Sequence, residues 1–184
     1  MDDIMKTILD LCGGTGAWSK PYKDAGYFVM KVDTLDSFDV RLYKHMDIKV
    51  HGILAAPPCT HLAGSGARWW KEKGEEALLE SLSIVDACLR AVVIYKPVFW
   101  ALENPVGRLV HYLGKPEMYF NPCDYGDPYT KKTCLWGNFN HPEKNPVEPT
   151  EGSKMHLLPP SEDRWKLRSA TPPGFAQAFF KANQ

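Results

Sequence analysis

The residue best suited to covalent chemistry in this chain is a cysteine set behind two prolines, in Ala56-Pro57-Pro58-Cys59-Thr60. It follows a short apolar run, Gly52 to Ala56, that reads as a buried strand. A thiol held at a strand exit beside rigid prolines, ahead of a segment that can move, suits a nucleophile. The segment after it, His61-Leu62-Ala63-Gly64-Ser65-Gly66-Ala67-Arg68, carries two glycines that could hinge a loop over a substrate. Cysteine is also a common core residue, so its neighbours must decide its role. A carboxylate stands in a comparable place, where Glu103-Asn104-Pro105 closes the apolar run Val98 to Leu102. Asn104 before Pro105 also has the form of a helix cap, a structural role that explains Asn104 better than Glu103. A third group is Asp10-Leu11-Cys12-Gly13-Gly14-Thr15-Gly16, with Asp33 at the end of the next strand. Glycines at a strand-to-helix turn let a ligand approach the backbone, and an acid about 20 residues on can bind ribose hydroxyls. The turn is not the G-x-G-x-x-G of a pyrophosphate site. Asp10 suits instead a cofactor with a positively charged amino acid end. The structural alternative is a tight turn that needs glycine only for its dihedral angles. Last comes Thr130-Lys131-Lys132-Thr133. Paired lysines are usually solvated, but one directed inward could donate to a carbonyl oxygen or a phosphate.

These residues need a scaffold that brings them to one edge. The first half alternates strand-like and helix-like segments, the pattern of a parallel sheet with crossover helices. Strands are predicted over Met5 to Leu11, Tyr27 to Val32, Gly52 to Ala56, Val98 to Leu102 and Thr133 to Trp136. A short helix from Ser19 or Lys20 to Ala25 stops at Gly26, and apolar residues from Leu78 to Val93 recur at helical spacing within a helix from about Glu75 to Tyr95. Beyond Pro116 the pattern thins. Asn140 to Pro160 reads as loop, and Gly174 to Ala182 as a closing helix after Thr171-Pro172-Pro173. Open sheets of this kind bind ligands at the carboxyl ends of their strands. Asp10, Asp33, Cys59 and Glu103 all fall at such ends.

Composition narrows the class. At 184 residues, with 44% hydrophobic and 24% charged residues, the chain is an ordinary globular size and mixture. No apolar stretch is long enough to span a bilayer. The opening Met-Asp-Asp-Ile-Met-Lys lacks the build of an export leader. Five dispersed cysteines without CxxC spacing argue against a disulfide framework and against a structural metal site, and point to a reducing, cytoplasmic compartment. Lys plus Arg equals Asp plus Glu, 22 each. The basic excess of a strong nonspecific duplex binder is therefore missing.

Taken in order, the motifs resemble those of the cytosine-C5 DNA methyltransferase family. Asp10 to Gly16 resembles its first cofactor motif, with Cys12-Gly13 in place of Phe-Ala. The resemblance implies a Rossmann-like S-adenosylmethionine-dependent methyltransferase fold, α/β, mostly parallel, with helices on both faces. It implies S-adenosylmethionine as cofactor, S-adenosylhomocysteine as product and DNA as partner, in a bacterial or phage-infected cell. The cofactor would meet Asp10, Gly13, Gly14, Thr15, Gly16, Asp33, Pro57 and Thr171, with Asp47 and Ile48 beside the adenine. Cys59 resembles the nucleophile of the family's Pro-Cys motif, Glu103 the Glu-Asn carboxylate, and Lys132 an arginine that meets the cytosine ring. Thr60, Ser65, Arg68, Trp69 and Lys131 are the implied nucleic-acid contacts, Arg68-Trp69-Trp70-Lys71 through stacking or phosphate binding. The alternative for that stretch is a hydrophobic staple on the long helix.

The chain departs from the family in one large respect. A single catalytic domain would occupy 1–184, and only residues 138–167 stand where members carry a sizeable target-recognition domain. Flipping a base from a duplex costs a few kcal/mol that contacts must offset. The expectation is a small phage-type enzyme, monomeric by default, with relaxed specificity, a preference for single strands or a specificity partner. A free pyrimidine nucleotide as substrate, or a non-catalytic cofactor-binding subunit, are the other readings.

Overall fold

The computed structural model describes residues 5–184. The expected lack of an export leader falls partly on residues 1–4, outside the described residues. In chain order the elements are β1 (Thr7–Leu11), α1 (Lys20–Asp24), β2 (Phe28–Val32), β3 (Val50–Ala55), α2 (Trp70–Tyr95) and β4 (Phe99–Pro105). They continue with α3 (Val110–Leu113), β5 (Met118–Phe120), β6 (Thr133–Asn138), α4 (Lys154–Leu157), α5 (Arg164–Ser169) and α6 (Pro173–Ala182).

The six strands form one sheet in the order β2-β1-β3-β4-β6-β5. β1 pairs in parallel with β2 and β3, and β3 with β4, whereas β6 runs antiparallel to both its neighbours. The expected mostly parallel, Rossmann-like α/β sheet is thus the one the chain adopts. From β1 the chain moves outward to β2, then crosses to β3 on the other side. That reversal opens a crevice at the carboxyl ends of β1 and β3.

Side chains alternate across the sheet and feed two cores. Leu9, Leu11, Ile53, Ala55 and Leu102 pack against Val85, Cys88 and Ala91 of α2. Ile8, Leu54, Phe99, Ala101 and Leu135 pack on the opposite face against Trp18, Tyr22 of α1, and Phe175 and Phe179 of α6. Phe120 and Phe175 stack with ring centroids 3.8 Å apart, joining β5 to α6. Helices therefore cover both faces.

Most predicted elements coincide with observed ones. β3 starts earlier, at Val50, and β4 runs on to Pro105. Helix α2 carries a break at Gly74, with φ 72°, so its regular part begins at Glu75, the predicted start of the helix. Two expectations are corrected. Asn104 caps no helix: it lies within β4, and its buried Nδ2 donates to the Pro57 carbonyl at 2.9 Å. The Asn140 to Pro160 loop contains a helical turn, α4, followed by α5. Neither turn is long enough to show a period. β5, three residues between prolines, escaped prediction for the same reason. Among the described residues, no helix is long and apolar enough to cross a membrane.

Candidate active site

Strand alternation decides which chemical groups meet. Asp10 has the parity of Ile8 on β1, and Glu103 that of Phe99 and Ala101 on β4, so both carboxyl groups emerge on the α1/α6 face. There they line a chamber of about 90 Å³ together with Gly13, Cys59, Lys131 and Thr171. This chamber shares Cys12, Gly14, Cys59, Lys131 and Arg168 with a larger, open cavity of about 950 Å³ across the strand ends.

Asp10 is almost fully buried and accepts a hydrogen bond from Ser19 Oγ, at the start of α1. Burial lifts its pKa to about 6, with the Ser19 hydrogen bond and the Lys31 charge pulling the other way. Gly13 sits directly against this carboxyl group, and a Cβ there would fall 2.2 Å from Oδ1. Only glycine lets the backbone close over the acid. Asp33 directly follows β2 and ties the turn down: Oδ2 accepts from Gly14 N and Oδ1 from Leu35 N, each at 2.8 Å. Each of these oxygens keeps a lone pair for a further donor. The glycine-turn residues expected at a cofactor are thus grouped, although Thr15 and Gly16 do not line either chamber.

Cys59 is half-buried at the turn after β3, where its carbonyl accepts from Leu62 N and Ala63 N at 2.9 Å. The following loop is not a free hinge. Gly64 N donates to Val106 O at 2.8 Å, and Arg108 N to Leu62 O at 2.9 Å. A Cβ at Gly107 would meet Leu62 O at 2.0 Å, so this close docking needs glycine there. Arg108 further donates to His61 O at 2.7 Å and covers the Trp70 ring at 4.7 Å. Burial and the charge of Glu103 push the Cys59 thiol up, while Lys131 and Arg168 oppose them. Burial also raises Glu103, against Lys131. Thiol and carboxyl therefore lie within electrostatic reach of each other. The five cysteines are free thiols.

The remaining predicted residues divide. Pro57 and Thr171 line the inner chamber, Thr60 and Ser65 the outer one, and Lys131 both. Lys132 lines the outer cavity, with its ammonium 5.2 Å from the centre of the Tyr119 ring, whereas Lys131 is the lysine that acts on both Cys59 and Glu103. Adjacent residues leave a strand end in opposite directions, and sequence cannot say which points inward. Arg68 and Trp69 lie outside both chambers; the guanidinium stands 5.1 Å from the exposed Trp69 ring. Asp47 and Ile48 also line neither chamber, and the cavity wall is built instead by Asp39, Val40 and Arg41. Asp39-Val40 has the same acid-then-branched form, a signal that could have been noticed. Trp165, Arg168 and Ser169 of α5 complete the wall, and nothing in their sequence marks them.

No protein family and no curated protein matches the chain by sequence. Among solved structures, it is similar to a candidate DNA modification methyltransferase encoded within an E. coli prophage. That likeness has TM-score 0.46 and 18% identity, and covers 86% of this chain and 49% of that one. It is also similar to the Entamoeba histolytica methyltransferase EhMeth, with TM-score 0.44 and 12% identity over 85% of this chain and 61% of that one. The chain spans about half the length of the prophage protein and about three fifths of the other.

Proposed function

We propose that this chain transfers a methyl group from S-adenosylmethionine to C5 of cytosine in DNA, through a covalent bond between Cys59 and C6. The observation that carries this reading is the shared chamber, in which Asp10, Gly13, Cys59 and Glu103 line one space on one face of the sheet. On this reading 1–184 form one catalytic domain, and 138–167 hold the place of a target-recognition region.

The residues present fit the cofactor. The open side of Gly14, with nothing within 4 Å of an added Cβ, leaves room at the turn. Buried Asp10 is a counter-charge for the ammonium of the amino acid end, with Thr171 beside it. Asp33, Asp39 and Val40 line the outer cavity; there Asp33 would accept from ribose hydroxyls, and Asp39-Val40 would serve in the role expected of Asp47-Ile48. When bound, S-adenosylmethionine supplies an electrophilic methyl carbon, which C5 takes as the sulfonium carbon–sulfur bond breaks. Cys59 acts first, its thiolate adding to C6. Glu103, whose pKa burial raises, brings a proton to N3 when cytosine binds and accepts from the exocyclic amine, so charge entering the ring is neutralised. Loss of the C5 proton to a base re-forms the ring double bond and expels Cys59.

Two measurements test this. DNA bearing 5-fluorocytosine cannot lose a proton from C5, so wild-type protein with cofactor is expected to give a denaturation-resistant adduct. Its absence on both duplex and single strands would overturn the reading. The cofactor site makes a separate prediction. The free Asp10 carboxyl titrates near 6, and a bound ammonium favours the carboxylate. Affinity for S-adenosylhomocysteine therefore rises with pH up to about 6 and weakens up to about tenfold per unit below it. Calorimetric titration from pH 5 to 8 checks this, and Asp10→Asn removes the dependence. A dissociation constant flat across that range contradicts the assignment of Asp10.

A further inference from the structure

We propose that Arg168, carried by the short helix α5 at the end of the reduced insert, is a positioning residue that holds the Cys59 thiolate in place. Arg168 lines both the inner chamber and the outer cavity with Cys59. Its backbone is latched there, because Lys131 Nζ donates to the Arg168 carbonyl at 2.9 Å. The segment leading to it is pinned to the body: Thr130 N donates to Gly152 O at 2.8 Å, Glu151 N to Pro128 O at 2.9 Å, and Lys154 covers the Tyr129 ring at 4.3 Å. The residues before α5 thus fold back over the cavity and close its wall with Trp165 and Ser169.

The charges facing Cys59 come from several elements. Asp10 of β1 and Glu103 of β4 are acidic; Lys131, before β6, and Arg168 of α5 are basic. Among the described residues no carboxylate pairs with Arg168 within ion-pair distance. Its charge is left to act on the thiol, which agrees with its opposing the burial of Cys59. A guanidinium cannot lose its proton, so the field persists at every working pH. The role in methyl transfer rests on the function proposed above, whereas the thiolate itself can be read without DNA or cofactor.

The test is the pH profile of iodoacetamide alkylation at Cys59, followed by peptide mass spectrometry. Arg168→Gln is expected to move the midpoint upward and slow alkylation at pH 8 by roughly 3- to 10-fold, with the gap narrowing at high salt. Arg168→Lys keeps most of the wild-type rate. Buried Cys88 and Cys134 report on the fold, because both stay protected while the structure holds. An unchanged Cys59 midpoint in Arg168→Gln, with Cys88 and Cys134 still protected, would overturn the proposal. If the glutamine variant exposes those cysteines, Arg168→Met and the lysine variant decide by the same profile. A positive fluorocytosine adduct alongside an unmoved midpoint sinks this inference alone and leaves the methylation reading standing.

Discussion

Cys59→Ala is expected to reduce methyl transfer to cytosine by at least about a thousandfold while leaving cofactor affinity unchanged. The reason is a division of labour within one chamber. Cys59 alone supplies the bond to C6, whereas Asp10, Gly13 and Gly14 on β1 and its turn supply the proposed cofactor contacts. The turn holding Cys59 is secured by backbone bonds from Leu62 and Ala63 to its carbonyl, and these survive loss of the sulfur. A half-buried thiol removed from a cavity wall also leaves no closed void to destabilise the core. Radiolabelled methyl transfer to DNA and titration with S-adenosylhomocysteine measure the two halves. Residual transfer within tenfold of wild type would show that the thiol is not the nucleophile.

Glu103→Gln should separate substrate binding from chemistry and move the thiol in the opposite direction to the rate. Glutamine keeps the shape, donates to N3 through its amide and accepts from the exocyclic amine, so KM changes little. It cannot release a proton into the ring as charge develops, and kcat is expected to fall by about 10²- to 10³-fold. Glu103 is also the neighbouring negative charge that raises the Cys59 pKa. The sign is therefore fixed: glutamine lowers the pH at which Cys59 ionises, and alkylation at neutral pH becomes faster although methylation becomes slower. Steady-state kinetics with iodoacetamide profiling on the same preparation checks both. An upward shift of the Cys59 midpoint, or an unaltered kcat, would contradict the placement of Glu103 beside the thiol.

Much of the scaffold was legible because it is written locally. The apolar run of Ile8, Leu9 and Leu11 and the run Phe99 to Leu102 lie in strands that feed both cores, and such runs announce themselves; the stretch before Asp33 is an edge strand, marked by its valines and aromatic residues instead. The period of α2 was visible for the same reason, down to its regular start after Gly74. Legibility ended where elements are short or pinned by remote partners. Helices α4 and α5 have four and six residues, too few for a repeat. Asn104 looked like a cap because its neighbour is proline, but a carbonyl 47 residues away claims it.

Sequence by itself determined which groups stand at strand ends: Asp10, Asp33, Cys59 and Glu103 each close an apolar run, and a strand's length and alternation are local properties of the chain. Tertiary structure alone decided which of the candidates share a space. Strand order and register set Asp10 and Glu103 on one face; the direction of chain exit before β6 turned Lys131 inward beside Cys59 and left Lys132 over Tyr119; the return of α5 supplied Arg168. These are relations between segments far apart in the chain, set by packing and hydrogen bonds that no single segment encodes.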